Sequence, residues 1–166
     1  MKKNLFLALA LCLLLGSCAT KKNLNVETEK FRYELECAGN GIQGTYLVKV
    51  WSYSKKAHLA ASQAKKNAVH GVIFKGFVSQ NDRDCKSQRA LAPKPGVELE
   101  YKDFFNTFFS DNNGEYMKYV SLTSAQQEII KVGKEYKVGI TVSVNKEALR
   151  KALEEAGVIK SLNYGF

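Results

Sequence analysis

The chain has 166 residues and carries 25 lysines and arginines against 16 acidic residues, a formal charge of +9. An apolar share of 45% and an aromatic share of 11% exclude wholesale disorder and allow one ordinary domain with a proper core. Two histidines and the absence of H-E-x-x-H, G-x-S-x-G and P-loop patterns point to no cofactor and no metal site.

Lys2 and Lys3 precede an apolar run from Leu5 to Leu15. That run is too short for the roughly 20 residues of a membrane-spanning helix, and it suits the core of a signal peptide. Directly after it stands Leu15-Gly16-Ser17-Cys18, which resembles the lipobox of bacterial lipoproteins. The resemblance covers residues 1–18. It implies a diacylglycerol on the Cys18 sulfur, cleavage before Cys18, and acylation of the new amino terminus. In lipoproteins of the enterobacterial kind, aspartate after this cysteine retains the protein in the inner membrane. Ala19 stands here instead, which implies the outer membrane. The basic pair Lys21 and Lys22, in place of an acidic export cluster, implies an orientation toward the periplasm.

Without residues 1–17 the chain keeps 23 basic and 16 acidic residues. A basic protein in the envelope suits anionic lipid, lipopolysaccharide, peptidoglycan or an acidic protein partner. The signal argues against nucleic acid. Residues 18–30 read as the lipidated cysteine and a polar tether, whose twelve flexible residues would span roughly 20 Å. Lys21 and Lys22 on it could each gain about 1 kcal/mol near anionic headgroups.

The remaining 31–166 read as a single α+β domain: a mainly antiparallel sheet of four or five strands with two or three helices on it. Phe31, Tyr33, Leu35 and Cys37 alternate with Arg32, Glu34 and Glu36, the period of a half-buried strand. The turn-forming stretch 38–44 follows, and Thr45–Tyr53 should pair antiparallel with the first strand. Ser54 then predicts a helix N-cap for 55–74. Its small residues Ala57, Ala60, Ala61, Ala64, Ala68 and Gly71, with Val72 at the edge, would face the sheet. Lys55, Ser62, Lys66 and His70 would face solvent. Lys55, Lys56, Lys65 and Lys66, with Lys21 and Lys22 of the tether, define a candidate basic surface.

Residues 76–96 show no sustained period and read as an irregular loop, the place where function or disorder concentrates. It contains an Asp82-x-Asp84 pair that could hold a cation or an activated sugar, or simply be solvated. Cys37 and Cys85 are an even pair in a compartment that permits disulfides. A bridge would close a loop of roughly 50 residues and contribute on the order of 4 kcal/mol; the alternative is two buried thiols.

Tyr101, Phe104, Phe105, Phe108 and Phe109 share one face of a helix predicted over 97–109. That stripe is either core or an aromatic groove. A short strand is expected at 115–121. Residues 128–132, a turn at Gly133, and 136–144 predict a hairpin, with a helix as the alternative for 124–131. Asn145 should cap a last helix over 146–156, closed by Gly157. Glu154 and Glu155 would pair with Arg150 and Lys151 on its outer side. These readings describe a non-catalytic, lipid-anchored binding or assembly module. The alternatives are a binder of anionic envelope polymer and, behind it, a periplasmic hydrolase.

Overall fold

Alternation along the chain builds one five-stranded antiparallel sheet: β1 (Tyr33–Gly39), β2 (Thr45–Ser54), β3 (Val120–Leu122), β4 (Glu128–Val132) and β5 (Glu135–Asn145). The computed structural model describes residues 31–79 and 85–161. β5 is the central lane. β2 lies along one of its edges, from Thr45↔Asn145 to Ser54↔Tyr136, and β1 lies outside β2. The other edge of β5 is shared end to end: β3 pairs with Ser143 and its neighbours, and β4 with Glu135–Gly139. Gly133, at φ +61°, starts the two-residue turn between β4 and β5, a position that favours glycine.

The helical layer comprises α1 (Ala61–Phe74), α2 (Val97–Glu100), α3 (Lys102–Phe108), a 3₁₀ turn at Glu115–Tyr119 and α4 (Lys146–Glu155). The architecture is α+β in one domain. Its core lies between one face of the sheet and these helices. Val48, Val50, Val138, Ile140, Val142 and Val144 supply the sheet side; Ala64, Ala68, Val69, Val72, Phe105, Phe108, Leu149 and Leu153 supply the helical side. No helix among the described residues is long and apolar enough to cross a membrane.

The last strand and last helix fold as read. The Asn145 side chain accepts from Ala148 N at 3.0 Å, and Gly157 follows at φ +71°. Arg150 pairs with Glu154 and Lys151 with Glu155. Residues 128–132 are the strand of the hairpin, not a helix.

The first helix differs. It begins at Ala61 rather than at 55, because Ser54 ends β2 and spends its hydroxyl on a local turn. Its Oγ accepts from Lys56 N and donates to the His58 carbonyl, a common alternative to capping. The Gln127 amide then holds both backbone groups of Leu59.

The predicted faces of α1 also need correction. Ala64, Ala68, Gly71 and Val72 are buried as expected, but Ala57, Ala60 and Ala61 are exposed. Lys66 and His70, expected outside, are buried. The cause is a second cover: α3 and the 3₁₀ turn lie over the far side of α1, with Tyr116 donating to the Ser62 carbonyl. A Cβ at Gly71 would collide with the Leu35 side chain, so α1 sits against β1 at glycine range.

The aromatic stripe is core. Phe105, Phe108 and Phe109 are buried, and the helix bends at Tyr101, whose hydroxyl donates to the Gly157 carbonyl at 2.8 Å. Residues 115–119 form the 3₁₀ turn that sends Tyr116 inward, and the strand expected at 115–121 shrinks to 120–122. The described parts of the 76–96 stretch are tied down. Phe77 and Gln88 exchange two backbone hydrogen bonds, and Leu91 and Ala92 donate to carbonyls of α1. Gly76, at φ +69°, makes that reversal, and a Cβ there would meet the backbone at Gln88.

Candidate functional site

Several predicted positions lie outside the described residues: Cys18, Lys21, Lys22, Asp82 and Asp84. Cys37 and Cys85 are joined as a disulfide, with Cα atoms 6.2 Å apart. The bridge pins the 85–88 segment to the end of β1, beside a polar groove lined by Asn40, Gln43, Lys86, Lys146 and Glu147. The basic surface is smaller than predicted. Lys55 and Lys56 are exposed in the turn before α1, and Lys65 is half-buried. Lys66 is not surface at all: it is 1% exposed, paired with Asp111 and set over the Tyr116 ring.

The two histidines do not converge. His58 is exposed in the turn before α1, and no group of three metal-ligating side chains occurs among the described residues. His70 instead centres a chain of polar groups. Its Nε2 lies 3.2 Å from Glu98 Oε1 and its Nδ1 lies 2.5 Å from the Tyr33 hydroxyl. A carboxylate can only accept, so Nε2 carries the proton and the Tyr33 hydroxyl donates to Nδ1. Phe31 stacks on the imidazole at 3.8 Å, with Phe74 and Phe109 against it.

Burial pushes the imidazole below its ordinary value, partly offset by the hydrogen bond to Glu98; Lys75 adds to the lowering. Burial and the Glu98 carboxylate hold the Tyr33 phenol above its own. Both ring nitrogens are thus used internally, and the chain serves the fold.

This predicts a pH effect. Below about pH 6.5, the ordinary histidine value, the unfolded chain takes up a proton at His70 that the folded chain resists. Stability should therefore fall as pH drops through that range toward the lowered folded value. Chemical unfolding at stepped pH should show this slope, and His70→Gln should flatten it. An unchanged slope in the variant would assign the effect elsewhere.

The feature most unlike a core is the second face of the sheet. Register places Glu34, Trp51, Gly139 and Glu128 in one row across β1, β2, β5 and β4. With no side chain at Gly139, the Trp51 ring lies over it, and a Cβ there would stand 2.7 Å from the ring. Two cross-strand ion pairs frame the indole, Lys137 with Glu34 at 2.7 Å and Lys49 with Glu128 at 2.5 Å. Both ammonium groups sit 5.3 Å from the ring centroid. The indole is only 6% exposed, with a lysine on either side of it. Its Nε1 has no hydrogen-bond partner among the described residues. Arg32 lies over Tyr53 and pairs with Glu135.

Such pairs contribute only about 0–1 kcal/mol each to stability. Their effect here is positional: they fix a charged frame around an aromatic centre. Sequence reading passed over Trp51. The signal was available in parity: Leu47, Lys49, Trp51 and Tyr53 occupy the strand positions opposite Val48, Val50 and Ser52. Comparison with protein-family models, with curated proteins and with solved structures found no match.

Proposed function

We propose that this protein is a lipid-anchored module of the bacterial outer membrane, facing the periplasm, that acts by binding a protein partner rather than by catalysis. The lipobox at Cys18 supports the anchor. The observation that supports the binding role is the sheet face opposite the core, where Trp51 sits between two ion pairs. One face of the sheet is spent on the core; the other carries aromatic and paired charged groups. Aromatic centres with a polar rim are what protein interfaces use.

The test has two arms. Cys18→Ser should leave a heavier precursor that takes up no palmitate label, and continued labelling would remove the anchor. A photo-crosslinking residue at Thr141, on the face opposite the core, should capture a discrete partner in intact envelopes, whereas one at Lys102, on the helical side, should not. Equal or absent capture at the two positions would overturn the assignment of this face.

A further inference from the structure

The two edges of the sheet are treated differently. The outer edge of β1 is closed: Lys75 Nζ donates to the carbonyls of Phe31 and Tyr33, both at 3.4 Å, and Val78 bridges to Glu36. The outer edge of β4 has no such cover among the described residues. Every residue of β4 is exposed, with Ile129 at 49%, Ile130 at 50% and Val132 at 47%. A short apolar edge of this kind is a template for another strand.

The ladder identifies which groups are free. Val132 and Glu135 flank the two-residue turn and are the last pair of the β4–β5 ladder. In such hairpins that pair exchanges hydrogen bonds, and the alternation then turns the N–H and C=O of Ile129 and Lys131 outward.

The geometry points to a second copy of this chain as the occupant, its β4 antiparallel to this one about a twofold axis through Ile130. In that register Ile129 and Lys131 exchange backbone hydrogen bonds with Lys131 and Ile129 of the second copy. Ile130 meets Ile130 on the face of the sheet opposite the core. Gln126 faces Lys134, Glu128 faces Val132, and the Lys134 ammonium of the second copy lies diagonal to Glu128. No like charges stand opposite one another, which matters in a basic chain. Centring the axis on Lys131 would instead set two lysines face to face. The pairing continues the sheet across the dimer and covers the apolar edge, leaving the Trp51 face available on both copies.

Ile130 would form a non-hydrogen-bonded pair, with Cα atoms about 4.5 Å apart, within the range that a disulfide bridges. The full chain carrying Ile130→Cys, oxidised in membranes from cells that produce it, should therefore give a band of twice the monomer mass that the parent chain does not. Lys131→Pro, added to it, removes an outward N–H that the β4–β5 ladder does not use, a change edge strands tolerate. It should weaken the dimer by on the order of tenfold and suppress the band accordingly. Absence of the band, a band of some other protein's mass, or a band that Lys131→Pro leaves unchanged would each overturn the pairing. Failure here leaves the Thr141 result untouched, because that label sits on β5 beyond the end of its ladder with β4, away from the β4 edge.

Discussion

Replacing both Cys37 and Cys85 with serine should cost about 4 kcal/mol of stability, the chain-entropy value for a closed loop of this length. For a chain of this size that corresponds to a melting temperature lower by roughly 10 °C. The sequence separation is 48 residues, and much of the intervening chain is β2 and α1. The bridge does more than shorten that loop in the unfolded chain. It holds the returning 85–92 strand of chain where Phe77 and Gln88 pair, and where Tyr46 donates to Gln88 Oε1 at 2.9 Å. The double variant avoids leaving one odd thiol. Thermal unfolding of the purified oxidised chain, with and without a strong reductant, measures the effect. Reductant should bring the parent down to the double variant and leave the variant unmoved. A parent chain indifferent to reductant would show that the bridge contributes nothing.

The strands were legible because alternation is a local property. Tyr136, Val138, Ile140, Val142 and Val144 announce a half-buried strand whatever lies around them, and Asn145 announces the helix after it. The helical period of Phe105, Phe108 and Phe109 was legible for the same reason, but that the stripe is core rather than a groove came only with the structure. What escaped depended on distant contacts. The face of α1 that carries Lys66 and His70 is polar by composition, and it is buried only because residues 97–119 fold back over it. Ser54 had two local uses for one hydroxyl, and the sequence around it does not say which wins. The 3₁₀ turn at Glu115–Tyr119 follows from Tyr116 reaching the core, again a distant demand. The pairing of β4 was readable from its turn, but the openness of its outer edge was not. Edges depend on which segments come to cover them. Trp51 lay within reach of a parity argument, and the charged frame around it required the register.

Two substitutions in one ion pair should give opposite results. Asp111→Asn should destabilise the protein by about 2–3 kcal/mol, while Lys66→Met should be close to neutral. The asymmetry comes from position. The Lys66 side chain is 2% exposed and the Asp111 side chain 79% exposed. Removing the carboxylate's charge strands an ammonium inside the protein, and an unsatisfied buried charge carries its desolvation cost in full. Removing the ammonium leaves an aspartate whose side chain is largely exposed, and methionine keeps an unbranched apolar chain along the path the lysine stem occupied against Tyr116. What Lys66→Met gives up is the cation over the Tyr116 ring, 5.6 Å from its centroid, worth on the order of 1 kcal/mol. The saved desolvation offsets it. The double variant should therefore resemble Lys66→Met rather than the sum of the two, with a coupling of about 2 kcal/mol in a double-mutant cycle. Denaturant unfolding of the four chains decides it. A loss from Lys66→Met as large as that from Asp111→Asn would mean that the pair itself stabilises the fold, and that the desolvation of the ammonium does not decide the balance.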